Sequence, residues 1–78
     1  MTQIDDLVEA LSDLEHRQWV ERSQELAKKE NLSPERIERW KPFWVPYAEL
    51  SQETKDFDRV WARRAVEIFF KWMEKHDE

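Results

Sequence analysis

The 78-residue chain contains no cysteine and no glycine, and only three of its residues are proline. The absence of cysteine excludes disulfide bonds, thiolate zinc sites and cysteine nucleophiles, and nothing indicates an oxidising compartment. The absence of glycine excludes the glycine-rich loops that bind phosphate. No apolar run approaches the roughly 20 residues of a membrane-spanning helix. Because the acidic residues Asp5 and Asp6 stand where a targeting peptide carries bases, we expect a cytoplasmic protein without a membrane partner.

Aromatic and charged residues are abundant. The chain has five tryptophans, four phenylalanines and one tyrosine, and 40% of its residues are charged, with a net charge of −5. A domain this short buries about 60% of the surface that its unfolded chain exposes, so its stability depends on large side chains. Disordered chains have few aromatic residues, whereas here the apolar residues recur at helical spacing. We therefore expect residues 1–78 to form a single small helical domain.

Two long amphipathic helices follow from the apolar spacing. The first covers about residues 3–30, and its stripe consists of Ile4, Leu7, Leu11 and Leu14. The second begins after Ser51, a residue type that caps helix N-termini. Its stripe repeats every three or four residues and consists of Phe57, Trp61, Ala65, Ile68 and Trp72. We expect facing side chains to be buried between the two helices, namely Leu11, Leu14, Trp19, Phe57, Trp61 and Ile68.

The three prolines organise the segment between the long helices. Ser33 and Pro34 predict the start of a short helix, because serine caps the N-terminus and proline suits the first helical position. Pro42 is expected to end that helix, since the residue before a proline avoids the α region. Residues between Pro42 and Pro46 read as an extended apolar segment. The sequence thus predicts an all-α fold: an antiparallel hairpin of two long helices with a short central helix and a proline-bounded crossing segment.

The charge distribution argues against a nucleic-acid partner. Residues 1–30 carry eight acids and four bases, whereas a surface that binds a duplex is basic. Arg36, Arg39 and Lys41 do flank Trp40, an arrangement that suits a single strand. The alternative is that the two arginines face solvent and that Trp40 belongs to the core. Because acids and bases alternate in this segment, we favour the alternative.

His16 is the main candidate for acid–base chemistry. It lies one helical turn before Trp19, and a carboxylate such as Asp58 would orient its ring as a general base. A histidine in this position is more often a core residue that hydrogen-bonds a neighbour. No recognisable nucleophile accompanies it, so we expect no enzyme, no catalytic residue and no cofactor. His76 is too isolated to indicate a metal site.

Two blocks of the sequence resemble the RyR domain, the small repeat named after ryanodine receptors. Residues 44–59 match its pattern of valine, proline, aromatic and leucine, followed by lysine, aromatic, aspartate and arginine. Residues 11–19 are similar to its opening, in which a histidine precedes a tryptophan by three positions. The blocks cover about half of the chain in the family's order, and residues 31–43 replace a stretch that is glycine-rich in the family. The chain looks like the short bacterial and phage version of the domain.

The resemblance implies a non-enzymatic interaction or accessory module with a protein partner, or alternatively a sensor of a small anionic or nucleotide-derived ligand. The matching positions are His16, Trp19, Pro46, Tyr47, Leu50, Phe57, Asp58 and Arg59. We expect a polar cluster, either structural or ligand-binding, that consists of Glu15, His16, Trp19, Tyr47, Asp58 and Arg59. Within it, we expect His16 to bond Asp58 or Tyr47, and Arg59 to pair with an acid such as Glu15. A ligand sensor would leave Tyr47 and Arg59 partly exposed in a concave site, whereas a structural cluster would satisfy them internally.

The last helix carries more apolar residues than one stripe requires. Val66, Phe70 and Met73 point away from the predicted inner stripe. Either the corner of the hairpin and the first helix cover them, or they form the centre of a symmetric homodimer.

Overall fold

A computed structural model of the chain describes residues 3–76, which are all-α. Helix α1 spans Gln3–Lys29, α2 spans Pro34–Trp40 and α3 spans Gln52–Lys75. The two long helices α1 and α3 pack against each other as an antiparallel hairpin, and the short α2 lies between them in the chain. The predicted fold class is therefore confirmed. No helix within residues 3–76 combines the length and the apolar composition that crossing a bilayer requires.

Serine caps begin both helices that follow α1. The Ser33 hydroxyl accepts a hydrogen bond from the backbone N–H of Arg36 at 3.2 Å, and Pro34 occupies the first helical position. The Ser51 hydroxyl accepts the backbone N–H of Thr54, also at 3.2 Å. Each cap satisfies one of the N–H groups that a helix start leaves unpaired. The local sequence therefore determines where α2 and α3 begin.

The connection from α2 to α3 is more helical than the sequence suggested. The 3-10 turn Lys41–Phe43 follows α2 directly, and the 3-10 turn Tyr47–Glu49 precedes α3. Lys41 keeps α-type dihedral angles although a proline follows it, and its carbonyl accepts the N–H of Trp44 at 3.0 Å. The α-helix thus ends before Pro42 as predicted, but the chain continues as a 3-10 turn because Lys41 does not leave the α region, and residues 44–46 form the irregular crossing.

Small side chains form the buried core between α1 and α3. Val8, Ala62 and Val66 make up its centre, and Leu11 packs against its edge. Ala62 has no exposed surface. Ser12 lies on the same face, and its hydroxyl donates a hydrogen bond to the carbonyl of Val8 at 2.7 Å. Helices that meet through small residues approach closely, because the side chains at the contact set the distance between the axes.

The large apolar side chains lie outside this core, so their predicted burial is wrong. The exposed fraction is 72% for Phe57, 59% for Trp61, 69% for Ile68 and 52% for Leu14. Of the six expected core residues, Leu11 and Trp19 are half-buried. On each long helix the stripe of large residues is rotated by roughly 110° from the small-residue face. The hairpin closes on the small face, where close contact is available and the polar groups find partners.

The molecule is elongated. Its Cα radius of gyration is 15.7 Å, whereas a compact domain of this length has a radius of about 11.5 Å. Its accessible surface is 6629 Å², against about 5,100 Å² for a compact monomer of the same mass. The hairpin therefore exposes about 1,500 Å² more than a compact protein of its size.

Candidate functional site

His16 joins three parts of the chain. Helix α1 holds it one turn after Ser12 on the inner face, where it is 4% exposed. Its Nε2 donates a hydrogen bond to the backbone carbonyl of Val45 at 2.7 Å, and a carbonyl oxygen only accepts, so Nε2 carries a hydrogen. Its Nδ1 faces Asp58 Oδ2 at 3.8 Å. His16 thus connects α1 to the crossing segment and to α3.

The surroundings of Asp58 shift the pKa of its carboxyl group. Burial raises the pKa of the Asp58 carboxyl, Glu15 raises it further, and His16 opposes the shift. His16 does approach α3 and the corner as expected, but its hydrogen bond goes to Val45 and not to Asp58 or Tyr47. Asp58 lies at ion-pair distance, and the ring of Tyr47 packs beside the imidazole at 6.5 Å between centroids. The Nε2 atom of His16 is therefore occupied by a backbone group, whereas Nδ1 lies at ion-pair distance from Asp58 without a hydrogen bond.

A second polar group is centred on Glu9. Its carboxylate accepts the Tyr47 hydroxyl at 2.7 Å and the Arg59 Nε at 2.6 Å. Arg59 Nη1 also donates to Gln52 at 2.9 Å and to Asp56 at 3.0 Å. The expected pairing of Arg59 with Glu15 is therefore wrong. Glu15 lies half-buried on α1, close enough to Asp58 to influence its pKa.

The pKa shifts in this group arise from the shared hydrogen bonds and, for Tyr47, first from burial. Bonds from Tyr47 and Arg59 lower the pKa of Glu9. Burial and the bond to Glu9 raise the pKa of the Tyr47 hydroxyl, and the bonds to Glu9 and Asp56 raise the pKa of Arg59. Tyr47 is 7% exposed and the Arg59 side chain 16% exposed. Both are satisfied internally, which is the arrangement expected of a structural cluster.

Glu9 is the member of the site that sequence reasoning missed. It is one of eight acids in residues 1–30, so its residue type alone does not distinguish it. The usable signal is its spacing, because Glu9, Ser12 and His16 follow one another at three and four residues and therefore share a helix face. A polar face of this kind, next to an apolar stripe, indicates a packed surface with internal hydrogen bonds.

Tryptophans close the corner of the hairpin. Trp44 Nε1 donates to the Ser23 hydroxyl at 2.8 Å, and that hydroxyl donates to the carbonyl of Trp19 at 2.7 Å. Trp40 meets Trp19 edge-on, with 6.0 Å between ring centroids. Lys41 pairs with a carboxylate of α2 at 2.9 Å. The ring of Trp40 is thus engaged inside the protein, which favours the structural interpretation of the basic segment over nucleic-acid binding.

A groove of about 520 Å³ opens beside His16. Its lining consists of His16, Trp19, Phe43, Glu53, Thr54, Phe57 and Asp58. The aromatic walls suit a flat molecule, and besides the histidine the ionisable groups are two carboxylates. Arg59 is absent from the lining because it points to Glu9. The groove therefore lacks the positive charge that would attract an anion.

The large apolar residues make a second, much larger surface, here called the open face. Its members are Ile4, Leu7 and Leu14 of α1 and Phe57, Trp61, Ile68 and Trp72 of α3, each 40–72% exposed. On each helix, the stripe lies about 110° around the helix axis from the inner face, and the direction of this rotation, viewed from the N-terminus, is the same for both helices. Because the helices are antiparallel, the two stripes therefore lie on the same side of the hairpin. Residues 44–48 lie against the other side of α1, beside Asp13 and Arg17. The crossing segment therefore leaves the open face uncovered.

The edges of the open face contain further aromatic contacts. The Arg64 guanidinium stacks over the ring of Trp61 at 4.6 Å. Near the end of α3, Phe69 stacks on Trp72 at 6.4 Å, and Trp72 stacks on His76 at 4.6 Å. Each of these contacts joins residues of α3 to one another or to His76, which follows the helix.

The predicted interface residues do not form one patch. Val66 is 5% exposed and belongs to the core, so its assignment to an interface is wrong. Phe70 and Met73 are 43% and 45% exposed. Val66 lies inside because α3 presents it, together with Ala62, to the small-residue face of α1.

Within residues 3–76, the acidic and histidine side chains form no group of three or more that could hold a metal ion. Comparison of the chain with protein-family models, with curated proteins and with solved structures gave no match.

Proposed function

We propose that the chain is a non-enzymatic helical interaction or accessory module of the cytoplasm, and that its open face is the surface that contacts a protein partner. The observation that carries this proposal is the exposure of Phe57, Trp61, Ile68 and Trp72 on one helix. Isolated monomers rarely expose contiguous apolar patches larger than a few hundred Å², and larger ones usually mark interfaces. Aromatic residues are also the types that carry most binding energy in protein interfaces.

The state of the polar cluster supports a non-enzymatic role. His16 donates a hydrogen bond to Val45, and both Tyr47 and Arg59 donate to Glu9. These polar groups are therefore engaged within the protein. The resemblance to the RyR domain supports the same proposal, because the matched residues are those that build this corner. Their polar groups serve to hold the corner against α1.

Photo-crosslinking tests the proposal. A benzoylphenylalanine at Ile68, on the open face, should give discrete covalent adducts when the chain is expressed in the cells that encode it. The same probe at the neighbouring exposed Glu67, on a different side of α3, is the matched control and should give none. Equal adduct patterns from the two positions, or none from Ile68, would contradict the proposal.

The groove beside His16 favours a second candidate function, a sensor of a small flat ligand. Trp19 and Phe57 offer aromatic surfaces for stacking, while Asp58 and Glu53 disfavour an anionic group. Tryptophan fluorescence titrations with adenosine and with adenosine monophosphate test it. The sensor role predicts saturable binding of adenosine that weakens with the phosphate and disappears in Phe57→Ala. No saturable change with either compound would contradict this role.

A further inference from the structure

We propose that the partner of the open face is a second copy of this chain, and that two hairpins pack open face to open face as a four-helix bundle. This inference rests on the proposed function and names the occupant of the same surface. It differs from the sequence expectation, which placed the interface around Val66, because Val66 is already used inside the hairpin.

The exposed area fits a second copy. The hairpin exposes 6629 Å², about 1,500 Å² more than a compact monomer of its mass. A standard protein interface buries about 800 Å² on each partner. Pairing two copies would remove an area of that size from each, which is about half of the excess. A four-helix bundle is the arrangement in which two antiparallel hairpins cover each other's apolar faces.

Charge decides how the two hairpins face each other. Within α1, residues 3–14 contain four acids and no base, whereas residues 61–76 of α3 contain four lysines and arginines and two glutamates. A two-fold axis parallel to the helices places α1 of one copy over α3 of the other. A two-fold axis across the helices would instead place acidic α1 over acidic α1. Both arrangements make the facing helices antiparallel, and only the first pairs opposite charges, so we adopt it.

The heights of the residues then predict specific contacts. The contact between His16 and Asp58 sets the register of the hairpin, and counting from it places Leu7 at the height of residue 67. An axis parallel to the helices keeps these heights. Leu7 of one copy should therefore contact Ile68 of the other, and the aliphatic stripe of α1 should meet the aromatic stripe of α3 along its whole length.

Disulfide trapping tests this contact in a chain that has no cysteine of its own. Two preparations, one carrying only Leu7→Cys and the other only Ile68→Cys, are mixed and oxidised mildly. The expected product is a mixed dimer that links position 7 to position 68, formed well before either variant links to itself. Replacing the second variant by Glu67→Cys is the matched control, because this position lies away from the open face. Equal trapping at positions 67 and 68, or preferential linkage of position 7 to itself, would overturn the arrangement.

Sedimentation of the full chain separates this proposal from the proposed function. The expected mass approaches twice 9.7 kDa as concentration rises. Ile68→Lys should weaken association by at least about 30-fold, the effect of losing one hot-spot residue, because both copies carry the substitution. Glu67→Lys is the control and should leave association unchanged, while circular dichroism verifies that both variants remain helical. A monomer at every concentration overturns the second copy. If photo-crosslinking at Ile68 still yields adducts with another protein, the proposed function stands, and if it yields none, both fail.

Discussion

At the scale of single residues, the molecule is organised around polar side chains that bond across elements. Glu9 on α1 receives one bond from the crossing corner through Tyr47 and one from α3 through Arg59. Because the two bonds come from different elements, the Glu9 carboxylate connects both the corner and α3 to α1. Its lowered pKa makes this contribution dependent on pH.

Glu9→Gln should lower the free energy of unfolding by about 1 kcal/mol at neutral pH, since the half-exposed carboxylate loses charge-assisted bonds. A carboxylate with a lowered pKa in the folded state stabilises the fold above its unfolded pKa, near 4.5, and loses this effect as the pH falls through the folded pKa. The difference between parent and variant should therefore shrink below pH 4.5. Urea unfolding at several pH values measures it, with the exposed Glu21→Gln as control. A difference that is independent of pH would contradict the role of the charge.

The raised pKa of Asp58 acts in the opposite direction. A carboxyl group whose pKa is higher in the folded state stabilises the fold at low pH and loses this effect as the pH rises above its unfolded pKa, near 3.8. Asp58 is present in both the parent and Glu9→Gln. Its contribution therefore appears in both pH profiles and cancels in their difference.

His16→Leu should destabilise the fold by about 1–3 kcal/mol, because it leaves the Val45 carbonyl without its donor in a partly buried place. His16→Gln keeps an N–H donor of similar reach and should recover part of this loss. The midpoints of urea unfolding for the three proteins give the comparison. If His16→Leu unfolded at the same urea concentration as the parent, the hydrogen bond to Val45 would contribute nothing to stability.

At the scale of elements, α3 has two apolar faces of different character. One face presents Ala62 and Val66 to α1, and the other presents Phe57, Trp61 and Ile68 outward. The helix is therefore amphipathic in an unusual way, with its largest apolar residues on the side that the hairpin does not use.

Two alanines of α3 test this division directly. Ala62→Leu should destabilise the hairpin by about 1–3 kcal/mol, because Ala62 is fully buried where α1 passes close by. Ala65→Leu is the matched control on the same helix, and it should change stability little because Ala65 is exposed. Thermal or urea unfolding of both variants at low protein concentration provides the measurement. If both substitutions lowered the free energy of unfolding equally, the packing of α3 on α1 through the Ala62 face would be contradicted.

At the scale of the whole molecule, the surface that the hairpin leaves uncovered relates its stability to association. Truncating a buried tryptophan costs about 3–5 kcal/mol, but Trp61 is 59% exposed in the single hairpin. Its truncation should therefore cost much less when the chain is dilute.

Trp61→Ala should lower stability markedly only at high protein concentration, where the proposed dimer forms and buries the ring. Mass action makes the unfolding midpoint of an associating protein depend on concentration. Urea unfolding of parent and variant at two concentrations, about 100-fold apart, checks this. The parent's midpoint should rise with concentration and the variant's should rise less, and a parent midpoint that stays constant would contradict the dimer.

Short-range signals in the chain are sufficient to predict its helices. Apolar residues repeat every three or four positions along both long helices, the Ser33 and Ser51 caps mark where α2 and α3 start, and three prolines bound the corner. These signals act over a few residues, so they can be read without knowing what the chain packs against. The approach of His16 to the corner and to Asp58 was also predictable, because both lie near the same end of the hairpin.

Which face of each helix lies inside depends on how the helices pack in the assembled fold. A stripe such as Phe57, Trp61 and Ile68 shows that a face avoids water, but it does not tell whether the covering element belongs to the same hairpin. The hairpin closed on Ala62 and Val66 because small side chains allow close approach and the polar groups there are satisfied. The choice of Glu9 as the partner of Arg59 has the same origin. Contacts across elements depend on the rotation of each helix about its axis, and no local signal in the chain sets that rotation.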